Sequence, residues 1–171
     1  MKKSVLSLTL ALLTVALGST VMNANDPAKD EQEIRGMYAQ FPTAFRAKDV
    51  DAIMKVYAPG NELVLYDVGT PRQFVGFDAV RKDYQDFFAA FPGPVDKDDI
   101  QDLKIMTDGK LAYSRMVEPV TLTGKDGSKF SMTLRITDVL RKVNGKWLIV
   151  QEHISVPIDF DQGKPDFESK Q

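Results

Sequence analysis

The chain has 171 residues, one His, no Cys, and a net charge of −2 from 22 basic and 24 acidic side chains. Without Cys there is no disulfide, zinc–thiolate centre, thiol nucleophile or lipid-bearing cysteine. A mildly acidic chain with no basic block is a poor match to nucleic acid or an anionic membrane.

Lys2 and Lys3 precede an uncharged, mostly apolar run from Val5 to Leu17, with small residues at Ala16, Gly18 and Ala24. This order predicts a secretory signal peptide over residues 1–24. The run is shorter than the ~20 apolar residues of a membrane span, and Ser7, Thr9 and Thr14 dilute it. Cleavage after Ala24 removes two lysines and leaves a charge of −4 on about 147 residues. That is enough chain for one full core. The mature protein is expected in the periplasm or the medium, with no membrane contact once the signal is cleaved.

Residues 25–30 read as a polar tether. Asp30, with Glu33 three residues on, has capping-box spacing. Ile34, Met37, Tyr38, Phe41 and Phe45 then recur on one helical face. Pro42 falls inside this pattern and predicts a kink or break near Gln40. Asp49 caps a short second helix carrying Ala52, Ile53, Val56 and Tyr57, closed by Pro59-Gly60. Leu63 to Val68 is strand-like, Gly69-Thr70-Pro71 is a turn, and Gln73 to Val75 is extended again. Gly76 and Asp78 start a third helix with Val80, Tyr84, Phe87, Phe88 and Phe91 on its apolar face, stopped by Pro92-Gly93-Pro94.

The period then changes from helical to alternating. Strands are predicted over Ile100 to Thr107, Leu111 to Leu122, Phe130 to Lys142 and Lys146 to Val156. The turns are Asp108-Gly109, Lys125-Asp126-Gly127 and Asn144-Gly145, the last a type I′ hairpin signal. Residues 158–171 read as a loosely held polar tail. Helices followed by a run of hairpin-linked strands define an α+β domain over residues 31–157.

Strand parity assigns side chains to faces. Trp147, Ile149, Gln151, His153 and Ser155 share one parity. So do Thr133, Arg135, Thr137 and Val139, and Tyr113, Arg115 and Val117. A solid core would not gather Arg115, Arg135 and His153, so this parity is expected to line a cavity, with Asp138 and Glu152 facing outward. His153 titrates nearest neutrality and is the proton-transfer candidate. The plainer alternative is a hydrogen-bonded His locked beside Ser155. Asp67, between Tyr66 and Val68, could act as a base with a raised pKa, or merely begin the following turn. Arg115 and Arg135 could clamp an anion, or pair with Asp138, Glu118 or Glu152. Tyr38 and the other helix aromatics could line a ligand, though such stripes are commonly core. With one His and no Cys, no metal set has ligand-like spacing, and there is no Gly-rich phosphate loop, so neither metal nor cofactor is expected.

Three stretches give the chain a family resemblance: Phe45-Arg46-Ala47-Lys48-Asp49, Val75-Gly76-Phe77-Asp78-Ala79-Val80, and Arg141 to Val150 followed by His153-Ile154-Ser155. With Ala112-Tyr113-Ser114-Arg115, they resemble the nuclear transport factor 2-like superfamily. The closest likeness is to its SnoaL-like branch and the calmodulin-dependent kinase association domain, and ketosteroid isomerase is a further relative. The resemblance implies a cystatin-like cone, a curved antiparallel sheet whose concave face is covered by helices around a cavity. It also implies a homodimer through the outer sheet face. The expected function is binding of a small anionic or aromatic molecule by Tyr38, Tyr66, Tyr113, Arg115, Arg135 and Ser155. The alternative is a cofactor-independent isomerase, cyclase or dehydratase using Asp67 and His153. Phe41 stands where those isomerases carry their oxyanion-hole Tyr, which argues against steroid isomerisation.

Overall fold

Three hairpin-linked strands dominate the molecule: β5 (Leu111–Thr123), β6 (Lys129–Val143) and β7 (Lys146–Ser155). The turn between β6 and β7 holds Asn144 at φ 50° and Gly145 at φ 78°. Two consecutive positive φ values are what a type I′ turn requires, and Asn-Gly supplies them with least strain. This computed structural model describes residues 26–169. The predicted signal peptide therefore lies outside the described residues.

Two short strands, β1 (Val64–Tyr66) and β2 (Phe74–Val75), extend the sheet beyond β7. On the other side, β3 (Val95–Asp98) and β4 (Gln101–Thr107) pair in succession along β5. The order is β2-β1-β7-β6-β5-β3, with β4 also on β5. All pairings are antiparallel except β1 with β7, which run parallel with Val64 opposite Gln151. The sheet is therefore mixed where a purely antiparallel one was expected.

Helices α1 (Pro27–Arg46) and α3 (Phe77–Ala90) cover the concave face, with α2 (Val50–Ile53) between them. Ile34, Tyr38 and Phe45 from α1 and Val80, Tyr84 and Phe88 from α3 meet Ala112, Met116, Met132, Ile136, Leu140, Trp147 and Ile149 of the sheet. Helix α1 begins earlier than the capping-box spacing predicts. Asp26 is its cap, accepting from the Ala28 and Lys29 amides at 3.1 and 3.3 Å. Asp30 instead lies buried in the first turn, accepting from Lys142 Nζ at 2.5 Å and Trp147 Nε1 at 3.2 Å. Most of the predicted tether is thus helix, pinned to the β6–β7 hairpin. Nor does Pro42 break α1, which runs through it. A mid-helix proline costs about 3 kcal/mol, and Phe41 and Phe45, stacked at 5.9 Å against the core, return a comparable amount by burial.

The C-terminal segment also departs from expectation. Strands β8 (Ile158–Asp159) and β9 (Lys164–Pro165) form a small hairpin. Phe167 then packs edge-on against Phe130 at 5.0 Å, and its carbonyl accepts from the Thr133 amide at 2.7 Å. The polar composition concealed one aromatic anchor.

Lys48 turns the chain between α1 and α2 with φ 54°, and its ammonium donates to the carbonyls of Phe91 and Gly93 beyond α3. At Gly93 an added Cβ would stand 2.7 Å from the Thr123 carbonyl oxygen and 2.8 Å from Thr123 Cβ. Backbone cannot retreat there without opening the β3–β5 edge. Gly93→Ala is therefore expected to lower stability by about 1–3 kcal/mol, measured by urea unfolding. An unchanged midpoint would show that the edge yields freely.

Candidate functional site

The concave face is built from Ala112, Ser114, Met116, Glu118 and Val120 of β5 and Met132, Leu134, Ile136, Asp138 and Leu140 of β6. On β7, Trp147 and Ile149 point inward, and after them Glu152 and Ile154 do. The parity changes because Leu140 pairs with Ile149 while Val139 pairs with Gln151. Val150 is left over as a β-bulge, which turns every later side chain to the opposite face.

This corrects the predicted cavity face. Arg115, Arg135 and His153 are exposed on the outer face of the sheet. Tyr113 and Tyr66 are 41% and 40% exposed, and His153 stands edge-on to the Tyr66 ring at 5.8 Å. Ser155 is half-buried and reaches only the Arg135 carbonyl, at 3.5 Å. Among these expectations, Asp67 does line the internal cavity and Tyr38 does face inward. The expectation that Asp138 and Glu152 point outward is reversed: both are buried on the concave face.

What the cone encloses is an acidic interior. An outer chamber of about 90 Å³ lies between α1, α3 and the sheet. Its apolar walls include Phe41, Phe45, Leu65, Val120, Met132 and Ile154. Its polar groups are Asp67, Asp83, Tyr84, Glu118 and Glu152. Deeper in, a chamber of about 20 Å³ is bounded by Tyr38, Glu118, Asp138 and Glu152 among apolar neighbours. The two chambers share Phe41, Glu118, Ile136 and Glu152. A groove of about 870 Å³ along the outside of α1 is far larger. It is wide open, however, and lacks the converging buried groups that mark a site for chemistry.

Two of the buried carboxyls anchor small networks. Tyr38 OH donates to Asp138 Oδ2 at 2.5 Å, with Ser114 Oγ 2.6 Å from the phenol oxygen and 3.3 Å from Oδ2. Tyr57 OH donates to Glu152 Oε2 at 2.6 Å, and Tyr84 OH lies 2.6 Å from Tyr57 OH. The carboxyl of Asp98 on β3 is buried near Glu118, and neither of its oxygens has a hydrogen-bond partner.

These environments hold protons. Burial, then the neighbouring Asp98 carboxyl, push Glu118 well above the usual carboxylate range. Burial and the charge of Asp138 do the same to Glu152. Burial raises Asp138 to about 7 against the pull of its Tyr38 and Ser114 hydrogen bonds. At the mouth, burial lifts Asp67, opposed by the Val68 amide. Burial followed by the charges of Asp67 and Asp86 raises Asp83 to about 7.

Sequence reasoning passes over Asp83, reads Tyr57 and Tyr84 as helix-face aromatics without their hydrogen bonds, and misplaces Asp138 and Glu152. A signal was present. On β6, Met132, Leu134, Ile136 and Leu140 form an apolar alternation in which Asp138 is the one acid, and that parity is the buried one. Among the described residues no group of His, Asp or Glu side chains is disposed to hold a metal ion.

The family model of the SnoaL-like domain matches residues 34–159. No curated protein matches the chain. A crystal structure of an NTF2-like protein of unknown function from Pseudomonas putida is 25% identical, with a TM-score of 0.74 over 84% of this chain and 98% of that one. A ketosteroid isomerase-like protein from Erwinia carotovora is 24% identical, with a TM-score of 0.61 over 72% and 93%. A proposed dehydratase of the NTF2-like family from Streptomyces avermitilis is 16% identical, with a TM-score of 0.66 over 76% and 97%. The last two likenesses concern fold alone. By the match over residues 34–159 and the cone just described, the chain belongs to the SnoaL-like domain family, with the cystatin-like NTF2 fold.

Proposed function

We propose that this is an exported domain, freed of residues 1–24 and working in the periplasm or medium, whose cone binds a small, partly apolar, non-anionic molecule. The observation that carries the reading is the lining of the two chambers: apolar walls, converging carboxyls and, among the described residues, no Lys, Arg or His. An anionic ligand has no partner there, because Arg115 and Arg135 lie on the other side of the sheet. Size limits the ligand as well. The outer chamber, at about 90 Å³, is well below the ~300–1,000 Å³ of ordinary ligand sites. A polycyclic ligand is therefore a poor fit.

Native mass spectrometry of protein recovered from the exporting host, paired with thermal shifts in phenol and benzoate, tests this. Phenol is expected to raise the melting temperature by a few degrees and benzoate to leave it unchanged. Stabilisation by benzoate alone would overturn the reading.

One observation supports an enzyme as the second reading. Asp67 and Asp83 flank the mouth and repel each other's charge, and Asp83 is held to about 7, the range of a general base. Tyr84 and the protonated Glu118 and Glu152 would oppose it as donors. A cofactor-independent isomerase, cyclase or dehydratase built this way uses Asp83 with Asp67, while His153 takes no part. We also propose a homodimer through the outer sheet face, which carries Tyr113, Leu111 and Met106 exposed. Sedimentation equilibrium at micromolar concentration tests it, and a single monomeric species would end it.

A further inference from the structure

The inner end of the cone is short of hydrogen-bond donors. Asp138 is fully buried, and its Oδ2 takes the Tyr38 and Ser114 hydrogens while its Oδ1 has no partner. The inner chamber that Asp138 lines has room for one water-sized group. The chamber's other polar walls are Glu118, Glu152 and Tyr38, and the Tyr38 hydroxyl is already committed to Asp138. Among the described residues, none that lines either chamber contributes an ammonium, guanidinium or imidazole. The site thus combines an orphaned acceptor, further carboxyl oxygens around it, and an apolar chamber leading outward past Leu65, Val120, Met132 and Ile154.

We propose that the deep chamber recognises the ammonium head of a small primary amine, whose alkyl or aryl body occupies the outer chamber. This rests on the cavity being a ligand site at all, and it names the class of ligand. A primary ammonium has three N–H donors, matching Asp138 Oδ1, Glu118 and Glu152. It also supplies the positive charge that the acidic interior lacks. The carboxyls are not gathered closely enough to chelate a metal, which favours a larger organic head. The groups facing Asp138 are Tyr38 from α1, Ser114 and Glu118 from β5 and Glu152 from β7.

Binding would be linked to protonation. With the ammonium seated, the Asp138 carboxyl ionises and its proton leaves to solvent, so one O–H bond breaks as one N–H···O⁻ contact forms. Below pH 7 each bound amine should release up to one proton.

Calorimetry of the whole mature chain at pH 6, in buffers of different ionisation enthalpy, tests this with n-butylammonium, 1-butanol and butyrate. The expected result is n-butylammonium binding at least tenfold more tightly than 1-butanol, with proton release approaching one, and no binding of butyrate. Asp138→Asn should bring the amine-to-alcohol ratio close to one. Arg135→Gln, on the outer face, should leave it as it was. Equal affinity for amine and alcohol would overturn the ammonium proposal while leaving the cavity a ligand site. Absence of binding by all three probes, with phenol also inert, would remove the ligand site and the proposal together.

Discussion

Deleting Val150 is expected to abolish cooperative folding. Between Val143 and Leu140, β6 pairs with β7 in one register, which puts Trp147 and Ile149 inside. Beyond Val139 it pairs in another, which puts Glu152 and Ile154 inside. Without Val150 the two registers merge, and one half must turn its side chains over. Turning the first half exposes Trp147 and Ile149 and breaks the bridge from Ile149 to Tyr57. Turning the second drives His153 into the core and forces β1 to follow, since β1 pairs along Gln151 to His153. Losing Trp147 and Ile149 from the core costs about 5–8 kcal/mol, the size of a whole domain's stability. Val150→Ala keeps the extra residue and should cost about 1 kcal/mol. Trp147 is the single Trp, so its fluorescence through a urea titration reads both variants. A deletion variant that unfolds cooperatively within 1 kcal/mol of the parent would refute the bulge's role.

The same bulge explains what could be read in the sequence and what could not. The helix faces, the hairpin turns and the resemblance carried by Arg141 to Val150 were legible because each depends on neighbouring residues. Assigning faces along β7 depends on strict alternation. Strict alternation carried through Val150 puts His153 on the face of Trp147 and, with it, turns Arg115 and Arg135 inward. Polar character then reinforced the error, because a cavity was expected to be lined by cations and His. The interior instead holds neutral carboxylic acids. Asp138 and Glu152 are charged in an unfolded chain and protonated in a buried one, and composition alone cannot distinguish these states.

That protonation sets the second large effect, a protein most stable in mild acid and weakened by alkali. Asp138 keeps its proton in the folded state up to about pH 7, whereas an unfolded Asp releases it near 4. Between those values the folded chain holds a proton that the unfolded chain has shed. Stability therefore declines as pH rises, and is undiminished below the unfolded value. The decline is about 4 kcal/mol for one fully buried group shifted by about three units. Glu118 and Glu152 are raised in the same sense. In the opposite sense, Asp96 and Asp108 are lowered by hydrogen bonds at the surface, so stability falls again below about pH 4. Thermal melts should peak near pH 4–5 and drop by about 10 °C by pH 8. Asp138→Asn, which cannot ionise, should flatten that slope. A melting temperature that is level or rising from pH 5 to pH 8 would contradict the placement of these acids.

The parallel pairing of β1 with β7 has a consequence in time. Residues 64–66 find their main partner in residues 151–153, near the far end of the chain, and β2 alone gives them only a marginal two-stranded pairing. The first strand of the large sheet must wait for β7, the last of that sheet to be made, before it can close. Contacts so distant in sequence slow folding to the millisecond-to-second range. A nascent chain that lacks residues 151–153 cannot close the sheet, so the domain stays open until β7 has been made.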